Sequence, residues 1–328
     1  MGKVIKNPKT YEGCELEQIF FRPMLTGPDA ADLGVKIMYN MPVPTTLNFW
    51  KRAVDVLKAY KKGWDGGAIA DKSQKTINLS KVKSEMSYSA SDYFSMIYEL
   101  ITNRSDVNLD DLSGTELEAA ETALFKEAIA EAIRVTMWCG DTSRESGFNS
   151  FDGFLKRIKA DIGTGEDDVK SIACPSMATP DAAEAVLKNL LDNAPLVLKQ
   201  FKDQGNLVYL VTSDVYQNYE ESLDAVVLES AYAAKQNGRP GLKYKGIPLV
   251  DVKLAGYLPT MADMPQSFAI LTDRRNLAMA VNTSDFPGTE VRMWYNPDEM
   301  ENRQRAIFMA GCDYLLPELI VIALPVAV

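Results

Sequence analysis

The chain has 328 residues, 46% hydrophobic, 9% aromatic and 24% charged. This average globular composition disfavours disordered, collagenous and membrane-spanning classes and allows one large or two interleaved domains. Histidine is absent, which excludes Ser-His-Asp and Cys-His catalysis and His-ligated metals and leaves carboxylate, Lys, Tyr or Cys chemistry, or no chemistry at all. The net charge of −10 argues against a general nucleic-acid binder, yet residues 1–83 hold 14 basic and 8 acidic side chains and the remainder 21 and 37. A basic amino-terminal stretch therefore precedes an acidic body.

Residues 1–45 carry scattered Pro and Gly with isolated anchors such as Phe20 and Phe21, the pattern of an extended arm that gains order by lying on something else. Thr46 to Lys62 places Trp50, Val54 and Leu57 on one stripe, which predicts a helix stopped by Gly63. From Ala68 to Ser91 the alternation around Thr76–Val82 predicts a projecting polar hairpin. Ser113-Gly114-Thr115-Glu116 is a capping box, and Thr115 to Trp138 runs without Gly or Pro. Leu117, Leu124, Phe125, Ile129, Ile133 and Met137 form its expected apolar stripe, and at about 1.5 Å per residue the helix is roughly 36 Å long. Gly140 is its expected left-handed cap.

A second unit begins near Ser171. A helix with Pro180 at its first position is expected to about Asn193, a buried strand over Leu207–Val211, a helix from Ser213 to about Val227, and an edge strand over Gly246–Val250. After Ser267 the chain returns to strands, at Phe268–Leu271, Leu277–Val281, Val291–Tyr295, Ala306–Met309 and Tyr314–Ala323, with short connections that favour antiparallel pairing. The apolar end Leu319–Val328 is too short to cross a bilayer and reads as a buried final strand. The sum is an α+β protein with a discontinuous first domain.

Chemical motifs are sparse. No phosphate loop exists, and Gly163-Thr164-Gly165 lacks the third glycine of a dinucleotide site. Asp110-Asp111 and Asp167-Asp168 are paired acids, but neither ends a recognisable core strand, so they read as loop charges rather than a glycosidase pair. Cys14, Cys139, Cys174 and Cys312 form no C-x-x-C pair, and without histidine to activate a thiol they read as structural. No export signal is evident at the start, so the glycosylation triplets at Asn78, Asn103 and Asn282 carry little weight.

One resemblance covers nearly the whole chain. The Pro-rich arm, extended loop and capped spine helix come first, followed by Phe151-Asp152-Gly153-Phe154-Leu155, the inserted α/β block, Tyr244-Lys245-Gly246-Ile247-Pro248-Leu249-Val250 and the ending Met309–Ile320. This order resembles the major capsid proteins of tailed bacteriophages. The resemblance implies the Johnson fold of the Hong Kong 97 type: an amino-terminal arm and first helix at 1–61, an extended loop at 62–95, a peripheral domain at 96–170 and 266–328, and an axial domain at 171–265. It also implies a structural, non-enzymatic role, with hexamers and pentamers forming an icosahedral head shell around double-stranded DNA. Location in a virion assembled in the host bacterial cytoplasm follows, with no membrane partner. Because no room exists for the cleaved scaffold region of some members, a separate scaffolding protein and a portal are implied partners. No catalytic, cofactor-binding or metal residue is assigned. Lys3, Lys6, Lys9 and Arg22 of the arm are candidate contacts to acidic patches on neighbouring subunits or to the genome, and Lys72, Lys75, Lys81 and Lys83 of the loop are candidate intersubunit partners. The alternatives are an encapsulin-like nanocompartment shell and a carboxylate-dependent soluble hydrolase.

Overall fold

The structure is a computed structural model that describes residues 9–11, 35–39, 45–52, 61–63, 70–89, 116–163, 165, 168–225, 241–261, 263–282 and 290–325. The first half contributes strands β1 (Lys9–Tyr11), β2 (Lys36–Tyr39), β3 (Thr45–Arg52), β4 (Ala70–Ile77) and β5 (Ser80–Ser89), then helices α1 (Glu116–Cys139) and α2 (Phe154–Ala160). The middle holds β6 (Lys170–Cys174), α3 (Ala182–Asn193), α4 (Leu196–Gln200), β7 (Leu207–Val211), α5 (Ser213–Ala225), β8 (Lys243–Tyr244) and β9 (Ile247–Asp251). Strands β10 (Ala269–Asp273), β11 (Leu277–Asn282), β12 (Glu290–Asn296), β13 (Glu301–Tyr314) and β14 (Ile320–Pro325) complete the chain.

The first sheet is organised by β13. Its residues 309 and 310 pair with both β5 and β11, and residues 301–307 pair with both β5 and β12. One edge of β13 is therefore taken by β5, and the other is shared end to end by β12 and β11. At the outer edges β1 lies antiparallel on β12 and β2 lies parallel to β11, so these two pieces of the expected arm are strands added to the chain's own sheet. Val291 and Met293 of β12 and Ala306 and Phe308 of β13 alternate onto the buried face, where Phe125, Ile129 and Ile133 of α1 cover them. Burying each such side chain contributes about 1.5–3 kcal/mol. The stripe advances by four residues as expected, but Leu124 lies beside it and is 50% exposed.

The second sheet has the order β6-β14-β10-β7-β9-β8. Strands β10 and β14, from beyond residue 265, thus lie within the sheet of the inserted block, on the far side of the expected boundary. Antiparallel pairing is not uniform, because β14 pairs β6 and β7 pairs β9 in parallel. Every residue of β7 and β10 is buried. Val208, Leu210, Ile270, Ile320 and Ile322 face the core shared with α1, whereas Tyr209, Val211, Leu271, Val321 and Ala323 face α3 and α5. Both faces being covered explains why these strands read as continuous apolar runs. The expected run Tyr314–Ala323 is broken by a turn at Pro317–Leu319, which moves the chain from the first sheet to the second.

Three local expectations change. Thr45–Arg52 is a strand, not part of a helix over 46–62, because β4 supplies antiparallel partners from Thr45↔Ile77 to Arg52↔Ala70. The predicted hairpin within 68–91 is two strands that do not pair with each other, β4 joining β3 and β5 joining β13. Helix α3 starts after Asp181, which adopts a left-handed φ of 59°. Its first turn is capped from α5: Asn218 Oδ1 accepts from Ala183 N (3.0 Å), and Asn218 Nδ2 donates to the carbonyls of Met177 and Thr179 (2.9 Å each).

Gly140 does end α1, but not by left-handed geometry. A Cβ there would lie 2.2 Å from the Phe151 carbonyl and 2.4 Å from that of Thr136, and one on Gly153 would lie 2.7 Å from Gly140 N. The two glycines pack backbone to backbone, joined by Gly153 N donating to Gly140 O (2.8 Å). Gly140→Ala should destabilise the fold by about 2 kcal/mol, as overpacking does. Gly256→Ala, where nothing lies within 4 Å, should stay within about 0.5 kcal/mol in the same denaturant titration.

Candidate functional site: the hairpin root and the basic strands

The β3–β4 pair stands apart from both large sheets and enters the body at Ile77-Asn78-Leu79. Ile77 and Leu79 are buried with Met38, Ala278, Ala280 and Met309. The crossing is close: a Cβ on Gly311 of β13 would lie 2.3 Å from the Asn78 carbonyl, so only glycine admits the chain there.

One strand turn from this crossing sits a buried charge. The Asp313 side chain is 4% exposed, and its carboxylate meets Arg157 Nη1 of α2 at 3.1 Å and Lys75 Nζ of β4 at 3.3 Å. It also accepts from Tyr314 N at 2.9 Å. Lys75 Nζ lies 3.8 Å from the Tyr314 ring centroid, and the Tyr314 hydroxyl donates to Asp161 at the end of α2. Burial pushes the Asp313 carboxyl above the usual range, and Arg157 and Lys75 offset this only in part. A single carboxylate thus ties the hairpin strand, β13 and α2 together. Lys75, an expected intersubunit partner, is thus engaged with Asp313 inside its own chain. Nothing in the basic pattern singled out Asp313, Arg157 or Tyr314. The available signal was that Asp313 is the one charge between Ala306 and Leu316, and a buried lone charge demands partners.

The Gly140–Gly153 turn carries a second clamp. Lys156 Nζ donates to Asp141 (2.6 Å) and Asp152 (2.7 Å), while Asp152 also accepts from the Thr142 amide (2.9 Å) and hydroxyl (2.8 Å). The Lys156 and Ser143 bonds hold Asp141 well below the ordinary carboxylate range. Burial works against ionisation of Asp152, but the Lys156 and Thr142 bonds prevail and lower it too. Lys156 is disfavoured as a cation by burial and raised nonetheless by its two acids.

Of the other expected contacts, Lys3, Lys6 and Arg22 lie outside the described residues. Lys9 opens β1 opposite Met293, and Lys72 lies in β4 opposite Trp50. On β5, Lys81 is exposed, and Lys83 pairs with Glu85 at 2.7 Å, both more than half exposed, an arrangement worth little in isolation.

The remaining candidates for chemistry are structural where described. Cys139, Cys174 and Cys312 are buried free thiols; burial pushes the first two up to about 11 and raises Cys312 as well, so all are held as inert thiols. Asp168 closes its own loop by accepting from Gly165 N at 2.9 Å. Asp110, Asp111, Asp167, Cys14 and Asn103 lie outside the described residues, and Asn282 is fully buried. Among the described residues no group of three metal-ligating side chains occurs, and no helix is long and apolar enough to cross a membrane.

No protein-family model and no curated protein sequence matches the chain. Solved structures do. A chain of the satellite phage P4 procapsid that includes the size determination protein superposes over 97% of this chain and 93% of its own, with a TM-score of 0.54 and 11% identity. A chain from Gordonia phage Cozz covers 90% and 85% (TM-score 0.54, 12% identity), and one from the capsid of Myoviridae phage XM1 covers 92% of each (TM-score 0.52, 12% identity). The chain has the Johnson fold. Helix α1, 24 residues long, is the long helix that the sequence led one to expect.

Two predictions follow from the clamps. Asp141 and Asp152 are depressed, so their contribution is present above pH about 4 and fades as pH falls through their folded-state values. Lys156→Met should therefore lower the melting temperature most above pH about 5, and its difference from the wild type should shrink toward pH about 2. The raised Asp313 has the opposite sign, favouring the fold while protonated and opposing it as pH rises through its folded value. Arg157→Met, which strands this carboxylate, should cost about 3 kcal/mol in urea unfolding, and adding Asp313→Asn should recover part of the loss.

Proposed function

We propose that this chain is the major structural subunit of a phage head shell, assembling into hexamers and pentamers around double-stranded DNA in a virion built in the bacterial cytoplasm. The observation that carries this reading is the superposition of almost the whole chain, inserted unit included, on a chain of an assembled procapsid. A likeness confined to one domain would speak only for a shared module, whereas here no described element of consequence is left over.

In this reading the extended loop is built on the β3–β4 pair, Thr45–Arg52 with Ala70–Ile77, rather than on 62–95. The axial unit is the whole second sheet with α3 and α5, including β10 and β14, and the peripheral unit is the first sheet with α1 and α2. The support is strand pairing, since a hairpin bonded to neither large sheet is the element free to reach a neighbour. A long reach multiplies weak contacts into stable assembly. A separate scaffolding protein and a portal belong to the same proposal.

Negative-stain microscopy of the purified full chain should show closed shells or hexameric sheets; a monodisperse monomer at high concentration would end the reading. Removing residues 1–25, which deletes β1 with the arm cations Lys3, Lys6, Lys9 and Arg22, should leave a folded subunit and sharply lower particle yield. Unchanged yield would take assembly away from the arm.

A further inference from the structure

A groove of about 440 Å³ runs along β9 between α1 and the ends of the second sheet. Pro248 and Val250 give it an apolar floor, and Arg134, Lys243, Lys253 and Arg274 line it with cations. The carboxylate among its lining residues, Asp251, is already engaged: it accepts from Ser213 Oγ (2.9 and 2.8 Å) and from Lys253 N (2.8 Å). Arg134 meets Glu131 of its own helix at 3.1 Å. Arg274 Nε, however, is buried with no hydrogen-bond partner among the described residues. An unmet guanidinium N–H is costly, and it marks a place built for an acceptor that the described chain does not supply.

The same chain carries a complementary knob. Between β12 and β13 the turn Pro297-Asp298-Glu299-Met300 is exposed throughout, with Met300 49% exposed at a left-handed φ of 55°. It joins two carboxylates to one unpartnered apolar side chain, matching a basic rim over an apolar floor. Glu299 also pairs with Arg303 of its own β13, so Asp298 leads the contact.

Turn and groove cannot meet within one chain. Strand β13 spans roughly 43 Å from Glu301 to Tyr314 at about 3.3 Å per residue. Its far end is fixed to the groove side, where Leu315 N donates to Asn276 O at 2.9 Å, two residues from Arg274. Along α1, Arg134 is about 18 Å from Thr122, whose hydroxyl meets Met293 Sδ on the strand leading to the turn. Both routes put a long stretch of strand or helix between turn and groove. We infer that the acidic turn Pro297–Met300 of one copy docks in the basic groove of a second copy, Met300 over Pro248 and Val250, and Asp298 supplying the acceptor for Lys243 and Arg274. The contact joins two different surfaces, so it propagates from copy to copy, as closed rings and shells require. This inference rests on the shell reading above.

The test uses shells of the full chain. Lys243 is exposed, so Lys243→Glu should leave the subunit folded, as read by its melting curve, while lowering shell yield by roughly tenfold through like-charge repulsion. Asp298→Lys should do the same, and the two together should restore assembly. With cysteines placed at both positions, oxidised shells should run as covalent multimers on a non-reducing gel, each single variant staying monomeric. Normal yield in both reversals, no rescue in the exchange, or no multimers would overturn the contact. Normal shells with less packaged nucleic acid in Lys243→Glu would assign the groove to phosphate and overturn it as well. If the wild type forms no shells at all, it is the functional reading that fails, and the docking contact with it.

Discussion

A carboxylate taken out of water must find its counter-charges in the protein, and Asp313 finds them on two elements that no local interaction would bring together. Arg157 comes from the short helix behind the spine, Lys75 from the strand of the separate hairpin. Removing either cation leaves a charge that the interior cannot solvate, so the position of the hairpin root is coupled to the packing of α2. The apolar contacts of Ile77 and Leu79 give this junction most of its burial. They tolerate sliding, though, whereas a carboxylate shared between two cations does not. The Gly311 crossing adds a steric limit of the same kind, since any side chain there would lift β4 off β13.

The absence of histidine takes on a physical meaning in this setting. No imidazole titrates near neutral pH, and the response to acid belongs to the carboxylates. The two clamps respond in opposite directions, because one holds its carboxylates by short bonds at a surface and the other buries its carboxylate more deeply than its cations repay in full. Acid therefore relieves the node beneath the hairpin before it loosens the turn that joins α1 to α2.

Elements whose stabilisation is local or whose burial is complete were visible in the residues. The spine helix, β7 and α5 came within two residues of their observed bounds, because capping residues and uninterrupted apolar runs act over one or two turns. Thr45–Arg52 failed for the opposite reason. Trp50, Val54 and Leu57 satisfy a helical spacing, but Thr45, Thr46, Phe49 and Trp50 favour an extended backbone, and the partner that decides the matter lies about 25 residues onward in β4. Strands β10 and β14 are legible as strands, but their place in the second sheet is not, since sheet membership is a nonlocal choice. The candidate site divided in the same way. A count of lysines identified Lys75, yet only its distance to Asp313 reveals that it serves the chain that carries it.

Strand β13 has a mechanical side. It is bonded along both edges, and its hydrogen bonds stand perpendicular to its length. A pull across the sheet would open such a ladder one bond at a time, but a pull along β13 loads all its bonds together in shear. The strand that carries Asp313 near one end and the exposed Met300 turn at the other is thus a stiff tie-bar. Force applied at the turn is shared among the bonds along its length instead of peeling the sheet apart.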